Sequence, residues 1–500
     1  MNRYNIILLQ MVLFLSQINY SSGQEYPFPE KDDFKESKPG VFVIHEDSLK
    51  GYKADFGLLS VPESRTDSGS ELIYLPFVRV YSSAEQKSAP LFLFEGGPGL
   101  SNINFNYFPA WLLENHDIIR VGYRGVDGSV SLHAPEINQM MKSLPDGLTG
   151  QGLKEIGTAI SQAAKRLQDK GIKLQEYTIQ DVVDDMEDAR KAFGFEKINL
   201  SGGSYGGAVV YTYCTKYPQS IHRAILSESA FPFDLALTSS DFTETTLKRL
   251  NKLWQNDMEC RKKSEDITET IRNVLKTLPQ NRNGIRITED KMRLMIFFGL
   301  YQQSTTAQVF DAFIAAERDN DYSGLAFMSF YWDQLVDTFN WGDLIAKTYP
   351  TRVSTFAEIQ KTLGRKNSLI GTPLSEIAWG PLPYTEWPVK EQSAGFNPSL
   401  KSDVEVLFIY GSKESAGTAQ QEYLPNFKNG HIVIYENLGH MDVGLLQPEA
   451  SRHMEKEFFN RGIVDQSKFD KETVQTVNFK PEVSFQDMAK QYMQQQQNHK

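Results

Sequence analysis

The stretch Lys197-Ile-Asn-Leu-Ser-Gly-Gly-Ser-Tyr-Gly-Gly-Ala-Val-Val210 holds Gly202-x-Ser204-x-Gly206 between a strand-like run, Ile198–Leu200, and an apolar helical run. A sharp strand-to-helix turn places its serine in a strained backbone conformation, with Oγ raised above the end of the strand. The flanking glycines remove side chains that would clash there. Helix onset directly after the serine aims backbone N–H groups at any negative charge that develops beside it. The alternative is a glycine-rich turn with an idle serine.

Around this turn, residues 40–230 alternate strand and helix grammar. The strand-like runs are Val41–Ile44, Leu72–Val80, Leu91–Phe94, Ile118–Val121, Ile198–Leu200 and Ala224–Leu226. Between them, Asp181–Phe193 puts Val182, Val183, Met186, Ala189 and Phe193 on one helical stripe, and Gly194 ends it. That alternation predicts an α/β fold with a mostly parallel central sheet covered on both faces. From 235 to 400 helical periodicity dominates, as in Thr245–Gln255 and Met292–Gln302. Strands return at Val404–Tyr410 and His431–Tyr435, before a helix near Pro448–Phe459. We therefore expect a core over 40–234 and 401–465, a helical cap inserted at 235–400, and a polar, loosely ordered extension over 466–500 with its glutamine run Gln494–Gln497.

The composition narrows the function. The 500 residues carry 63 acidic and 52 basic side chains, a net charge of −11, with 40% hydrophobic residues. This is globular, and its acidity opposes broad nucleic-acid binding. Cys214 and Cys260 are too few for a disulfide scaffold or a thiolate zinc site and read as buried thiols. No metal cluster or phosphate-binding loop stands out, so no cofactor is expected. At the amino terminus, Arg3 precedes the apolar run Ile6–Leu15, which is too short to span a bilayer. Ser21 and Gly23 then stand at −3 and −1 of a cut before Gln24. This reads as a signal peptide over 1–23, the alternative being an uncleaved anchor or a buried helix. The mature chain is expected to be exported, periplasmic or secreted, with no membrane association after cleavage.

A serine nucleophile needs oxyanion donors, a base and an acid. Glu95-Gly-Gly-Pro-Gly99 follows the strand Leu91–Phe94 and would supply the Gly97 N–H as one donor, with the Tyr205 N–H as the other; the alternative is a plain turn. Of the eight histidines, His440 lies in Asn437-Leu-Gly-His-Met-Asp442, in a loop just after the last strand-like run. Glu414 follows the strand Val404–Tyr410, where a carboxylate would orient an imidazole. Glu228 and Asp234, after the preceding strand, are rivals for that role, and Glu414 could instead be a solvated neighbour of Lys413.

Taken together, GGPG at 96–99, GYRGVDGS at 122–129, GGSYGG at 202–207 and GH at 439–440 resemble the proline iminopeptidase-type α/β-hydrolases, a group that includes prolyl and tripeptidyl aminopeptidases with a helical cap over the triad. The resemblance spans about 75–230 and 400–460. In two places the sequence differs: Glu95 stands where the family usually has His, and Glu414 where it usually has Asp. By this resemblance Arg124 is a structural guanidinium, with a direct substrate contact as the alternative. The aromatics Phe297, Phe298, Tyr301, Phe330, Tyr331, Trp332, Trp341, Trp379 and Trp387 would form cap core or a substrate roof. The resemblance implies an exported serine hydrolase with an acyl-enzyme intermediate, cutting short peptides near a free amino terminus. A carboxylesterase using Ser204, His440 and Glu414 is the rival reading, and a catalytically silent binding protein is a third. The substrate would be a short peptide or small acyl compound. Oligomeric state is left open.

Overall fold

The computed structural model describes residues 26–498, apart from 35–37, 41, 106, 144–146, 234, 283, 353–355, 366–367, 391–398, 415–419 and 471–476. The expected signal peptide and Asp234 lie outside the described residues.

The large sheet is built from β1 (Phe42–Leu49), β2 (Tyr52–Pro62), β3 (Leu72–Val80), β4 (Leu91–Phe94), β5 (Ile118–Val121), β6 (Ile198–Gly203), β7 (Ile221–Ser227), β8 (Ser402–Gly411) and β9 (Phe427–Tyr435). Their spatial order is β1-β2-β3-β5-β4-β6-β7-β8-β9. The first three pair antiparallel, and β3 meets β5 antiparallel. From β5 to β9 every pairing is parallel. The parallel strands are continuous apolar runs because both of their faces are covered, with separate buried clusters on the two sides. The strand β2, absent from the expected set, is an edge-side partner that extends the sheet at its amino-terminal end.

The strand order reverses at β4, which sits between β5 and β6. Chain leaving the carboxyl ends of β4 and β6 therefore departs in opposite directions. A crevice opens between these departures, the usual ligand position in open α/β sheets.

Between β7 and β8 lies the helical insertion. Its helices include Ser240–Asn256, Ile267–Lys276, Glu289–Gly299, Gln303–Asp319 and Ser323–Thr338. Its buried core extends beyond 235–400, because Ile156, Ile160, Ala163 and Leu167 of the helix Gly150–Gln168 belong to the same cluster. This helix lies between β5 and β6, so the sequence boundary at 234 assigns to the core a segment that packs with the cap.

The polar extension also differs from expectation. Phe485–Asn498 is a helix, not a loose tail. Phe479 packs on Trp254, with ring centroids 5.3 Å apart, and Tyr492 packs on Phe330 at 4.6 Å. Phe485 and Met488 are buried in the cap cluster. A few widely spaced apolar side chains are enough to anchor a segment whose average composition is polar.

Candidate active site

Ser204 sits where β6 ends and the helix Tyr205–Lys216 begins, with φ 51° and ψ −121°. This left-handed conformation costs an L-residue on the order of 1–3 kcal/mol and persists only where its surroundings hold it. Here the Ser204 N–H donates to Ser227 O at 3.1 Å. Its carbonyl accepts from the Gly207 N–H at 3.0 Å and the Ala230 N–H at 2.9 Å. Two glycines let neighbouring chain come close. A Cβ on Gly206 would lie 2.3 Å from Phe94 O, and one on Gly96 would lie 3.1 Å from the Ser204 Cβ. The loop after β4 is thus pressed against the serine. Gly97 follows Gly96 with φ +83°, and Tyr205 opens the helix, so both expected oxyanion donors are chain neighbours of groups in contact at this point.

That loop is tied from behind. Asp127 accepts from the N–H groups of Asn102 (3.0 Å) and Tyr123 (2.8 Å) and from Ser101 Oγ (2.5 Å). Asn102 accepts from the Glu95 N–H at 2.8 Å and donates to Leu93 O and Val121 O. Arg124 is sealed from solvent. It makes bidentate contacts of 2.6 Å with Asp185 and donates to the carbonyls of Glu63, Glu176 and Pro62. It joins loops and does not line the cavity beside Ser204. In the GYRGVDGS motif, then, Arg124 fastens β2 to the helix Ile179–Ala192, while Asp127 braces the Glu95–Asn102 loop. The bracing role of Asp127 was not read from the sequence.

His440 and Glu414 come together from the loops after β9 and β8. Nδ1 of His440 lies 2.7 Å from Glu414 Oε2, with the two side chains 8% and 1% exposed. Ser204 and His440 line one cavity of about 1900 Å³. Glu228 also lines that cavity, with φ 42°, and makes no hydrogen bond to His440; its Oε1 is buried with no hydrogen-bond partner among the described residues. Burial, and then the charges of Glu414 and Asp442, hold the Glu228 carboxyl well above the usual carboxylate range. Glu95 turns to Arg120, Oε1 to Nη2 3.6 Å.

Of the nine cap aromatics, Phe298, Tyr301, Trp332 and Trp341 reach the cavity; the rest are elsewhere in the cap. The Tyr301 ring lies over the His440 imidazole, with centroids 4.5 Å apart. Cys214 and Cys260 are buried and unbridged, and burial pushes both thiols up. Among the described residues, no group of three or more His, Cys, Asp or Glu side chains is placed to hold a metal ion, and no helix is long and apolar enough to cross a membrane.

A mostly parallel sheet, a serine elbow at the end of β6 and a helical insertion before the last two strands decide the architecture. The chain has the alpha/beta hydrolase fold. The sequence model of that fold matches residues 89–282. Over 190 residues, 36% of each chain, the sequence is 27% identical to the putative hydrolase YuaR of Escherichia coli (strain K12). It is 26% identical over 187 residues to the serine protease Hip1 of Mycobacterium tuberculosis (strain ATCC 25618 / H37Rv), which covers 35% of this chain and 36% of that protein. A shorter match, 37% identical over 76 residues, is to the proline iminopeptidase of Saccharolobus solfataricus, covering 15% of this chain and 22% of the relative. The alignments with YuaR and Hip1 thus span about a third of those relatives' length. Among solved structures, a proline iminopeptidase of Mycobacterium smegmatis superposes with a TM-score of 0.34 and 14% identity, over 81% of this chain and 98% of that one.

Proposed function

We propose that this protein is an exported serine hydrolase that cleaves short peptides near a free amino terminus, with Ser204 as nucleophile, His440 as base and Glu414 as the acid that orients it. The observation that carries the reading is the 2.7 Å contact between His440 Nδ1 and Glu414, on the wall of the cavity that Ser204 also lines. With Nδ1 committed to Glu414, Nε2 is the ring nitrogen left to take the Ser204 proton.

In the proposed cycle Ser204 Oγ adds to the scissile carbonyl as His440 Nε2 removes its proton. The Gly97 and Tyr205 N–H groups receive the oxyanion. When the tetrahedral intermediate collapses, the C–N bond breaks and His440 gives its proton to the departing amine. Water then repeats the sequence on the acyl-enzyme and frees the acid product and Ser204. Glu414 keeps one imidazole tautomer and balances the imidazolium charge.

The free-amine preference is supported by the cavity wall. Glu228, Asp241, Glu358 and Glu422 line it. Glu228, whose buried Oε1 lacks a donor among the described residues, is our choice to face the substrate ammonium. The serine protease Hip1 and proline iminopeptidase matches agree with a peptidase. Export rests on the sequence of residues 1–23. An aminoacyl amide, its amino-blocked form and a short-chain ester test the reading: cleavage lost on blocking the amine is the expected result. Equal cleavage of blocked and free forms, with faster ester turnover, would make it an esterase.

A further inference from the structure

The loop that carries His440 is held from two sides. On the core side, the Lys413 N–H donates to Leu438 O at 2.8 Å and the Asn437 N–H donates to Ser412 Oγ at 2.9 Å. On the other side stands the cap. The helix Glu289–Gly299 ends in a short turn, and the helix Gln303–Asp319 begins immediately after it. That turn reaches the histidine loop. Tyr301 O accepts from the Met441 N–H at 3.0 Å, and Gln303 Nε2 donates to Asn437 O at 3.1 Å. A Cβ on Gly439 would lie 2.8 Å from Tyr301 O, so the two backbones are nearly in contact.

One carboxylate joins both parts. The helix Gln303–Asp319 has Gln302 at its N-cap position, with no side-chain cap of its own. Asp442 supplies the missing acceptor from the core: its Oδ1 takes the Gln303 N–H at 3.0 Å. Its Oδ2 takes the Gly439 N–H, adjacent to His440, at 2.8 Å. A helix N-terminus prefers a carboxylate on electrostatic grounds, and one that caps it also satisfies an orphan backbone donor. Asp442 is 3% exposed, so water is a poor substitute for either bond.

We propose that Asp442, together with Tyr301 and Gln303, is a positioning device that sets the catalytic base from the cap. Seating the cap helix and placing His440 are then one event, and a chain whose cap is unseated carries a misplaced imidazole. The inference rests on His440 being the base and on the turn Leu300–Gln303 staying docked during turnover. It predicts that the cap acts on the chemical step even for a substrate too small to touch it.

The test uses the full chain and p-nitrophenyl acetate, whose acyl part is only an acetyl group and whose leaving group carries no amine. Asp442→Ala is expected to lower kcat by roughly 10–100-fold with KM within about threefold, since small misplacements of a catalytic group have effects of this size. Its rate of labelling by a fluorophosphonate should fall in proportion. Gln303→Ala, which leaves the core sequence intact, should lower kcat about 3–10-fold. Asp442→Asn, which keeps one acceptor oxygen, should lose less than Asp442→Ala, because that oxygen can still cap the Gln303 N–H. Ile271→Ala, buried in the cap beside Thr270, which bonds Glu317 at the far end of the helix Gln303–Asp319, serves as the control: it should lower Tm without lowering kcat. Wild-type kcat in Gln303→Ala overturns the proposal, even if Asp442→Ala fails to fold. So does a loss in Asp442→Ala matched by Ile271→Ala at equal Tm. His440→Ala separates the underlying reading: full activity there refutes the base assignment, whereas an inactive His440→Ala beside fully active Gln303→Ala refutes only the clamp.

Discussion

His440 is bonded through Nδ1 to Glu414, at 2.7 Å, although a second carboxyl, Glu228, lines the same cavity. Two loops after adjacent parallel strands each bring a glutamate to the region of His440. Their environments separate them: Glu414 is paired with the His440 imidazole, whereas Glu228 Oε1 is buried with no hydrogen-bond partner among the described residues and burial raises its pKa. Like charges crowded in a dry site do not both ionise readily.

The first prediction concerns that difference. Glu414→Gln should reduce kcat on a small ester by about 10³–10⁴-fold, the size expected when an imidazole loses its orienting carboxylate. Glu228→Gln should stay within about threefold of wild type on the same ester. Steady-state kinetics of the two variants decide it; the reverse ranking would transfer the role to Glu228.

Glu228 should instead matter to substrates with a free amine. A substrate ammonium beside Glu228 would favour its carboxylate form. For an aminoacyl amide, Glu228→Gln is therefore expected to raise KM about 10-fold, equivalent to ~1.4 kcal/mol, with the amino-blocked amide unchanged. Equal KM values for the free-amine substrate in the two enzymes would remove Glu228 from substrate binding.

A third prediction follows from Lys413, which precedes Glu414 in sequence but is not bonded to it through its ammonium. Its Nζ is buried with no hydrogen-bond partner among the described residues, and burial lowers its pKa from 10.5 to about 8. Below pH 8 the folded chain must keep an ammonium there that the unfolded chain holds in water, so the residue destabilises the fold by on the order of 3 kcal/mol. Between about pH 8 and 10.5 the unfolded state binds the extra proton, and this penalty fades as pH rises. Lys413→Met should therefore raise stability at pH 7, with a gain that shrinks toward pH 10.5. Urea unfolding at the two ends of that range measures it; a gain independent of pH would contradict the assignment.

Much of this architecture was legible where local patterns coincide with burial. The runs Leu91–Phe94 and Ile118–Val121 are strands with those bounds, because strands covered on both faces are rich in apolar residues. The antiparallel strand Leu72–Val80 is legible for the same reason, buried along most of its length. Ser204 was legible because the strained turn demands small neighbours. The contribution of the helix Gly150–Gln168 to the cap was not, since an amphipathic stripe does not say which apolar surface it meets. The helix Phe485–Asn498 was hidden by polar composition around a few anchoring rings. Asp442 gave no signal at all: its importance comes from two donors, Gln303 N–H and Gly439 N–H, and the first lies 139 residues away in sequence.

The central claim is that Ser204 forms a covalent acyl-enzyme under the control of His440. Fluorophosphonate labelling of the purified chain, followed by mass spectrometry of its peptides, tests it most directly. The account predicts one modified site, Ser204, with labelling abolished in Ser204→Ala and strongly slowed in His440→Ala. A label carried by another residue, or hydrolysis undiminished in Ser204→Ala, would contradict it.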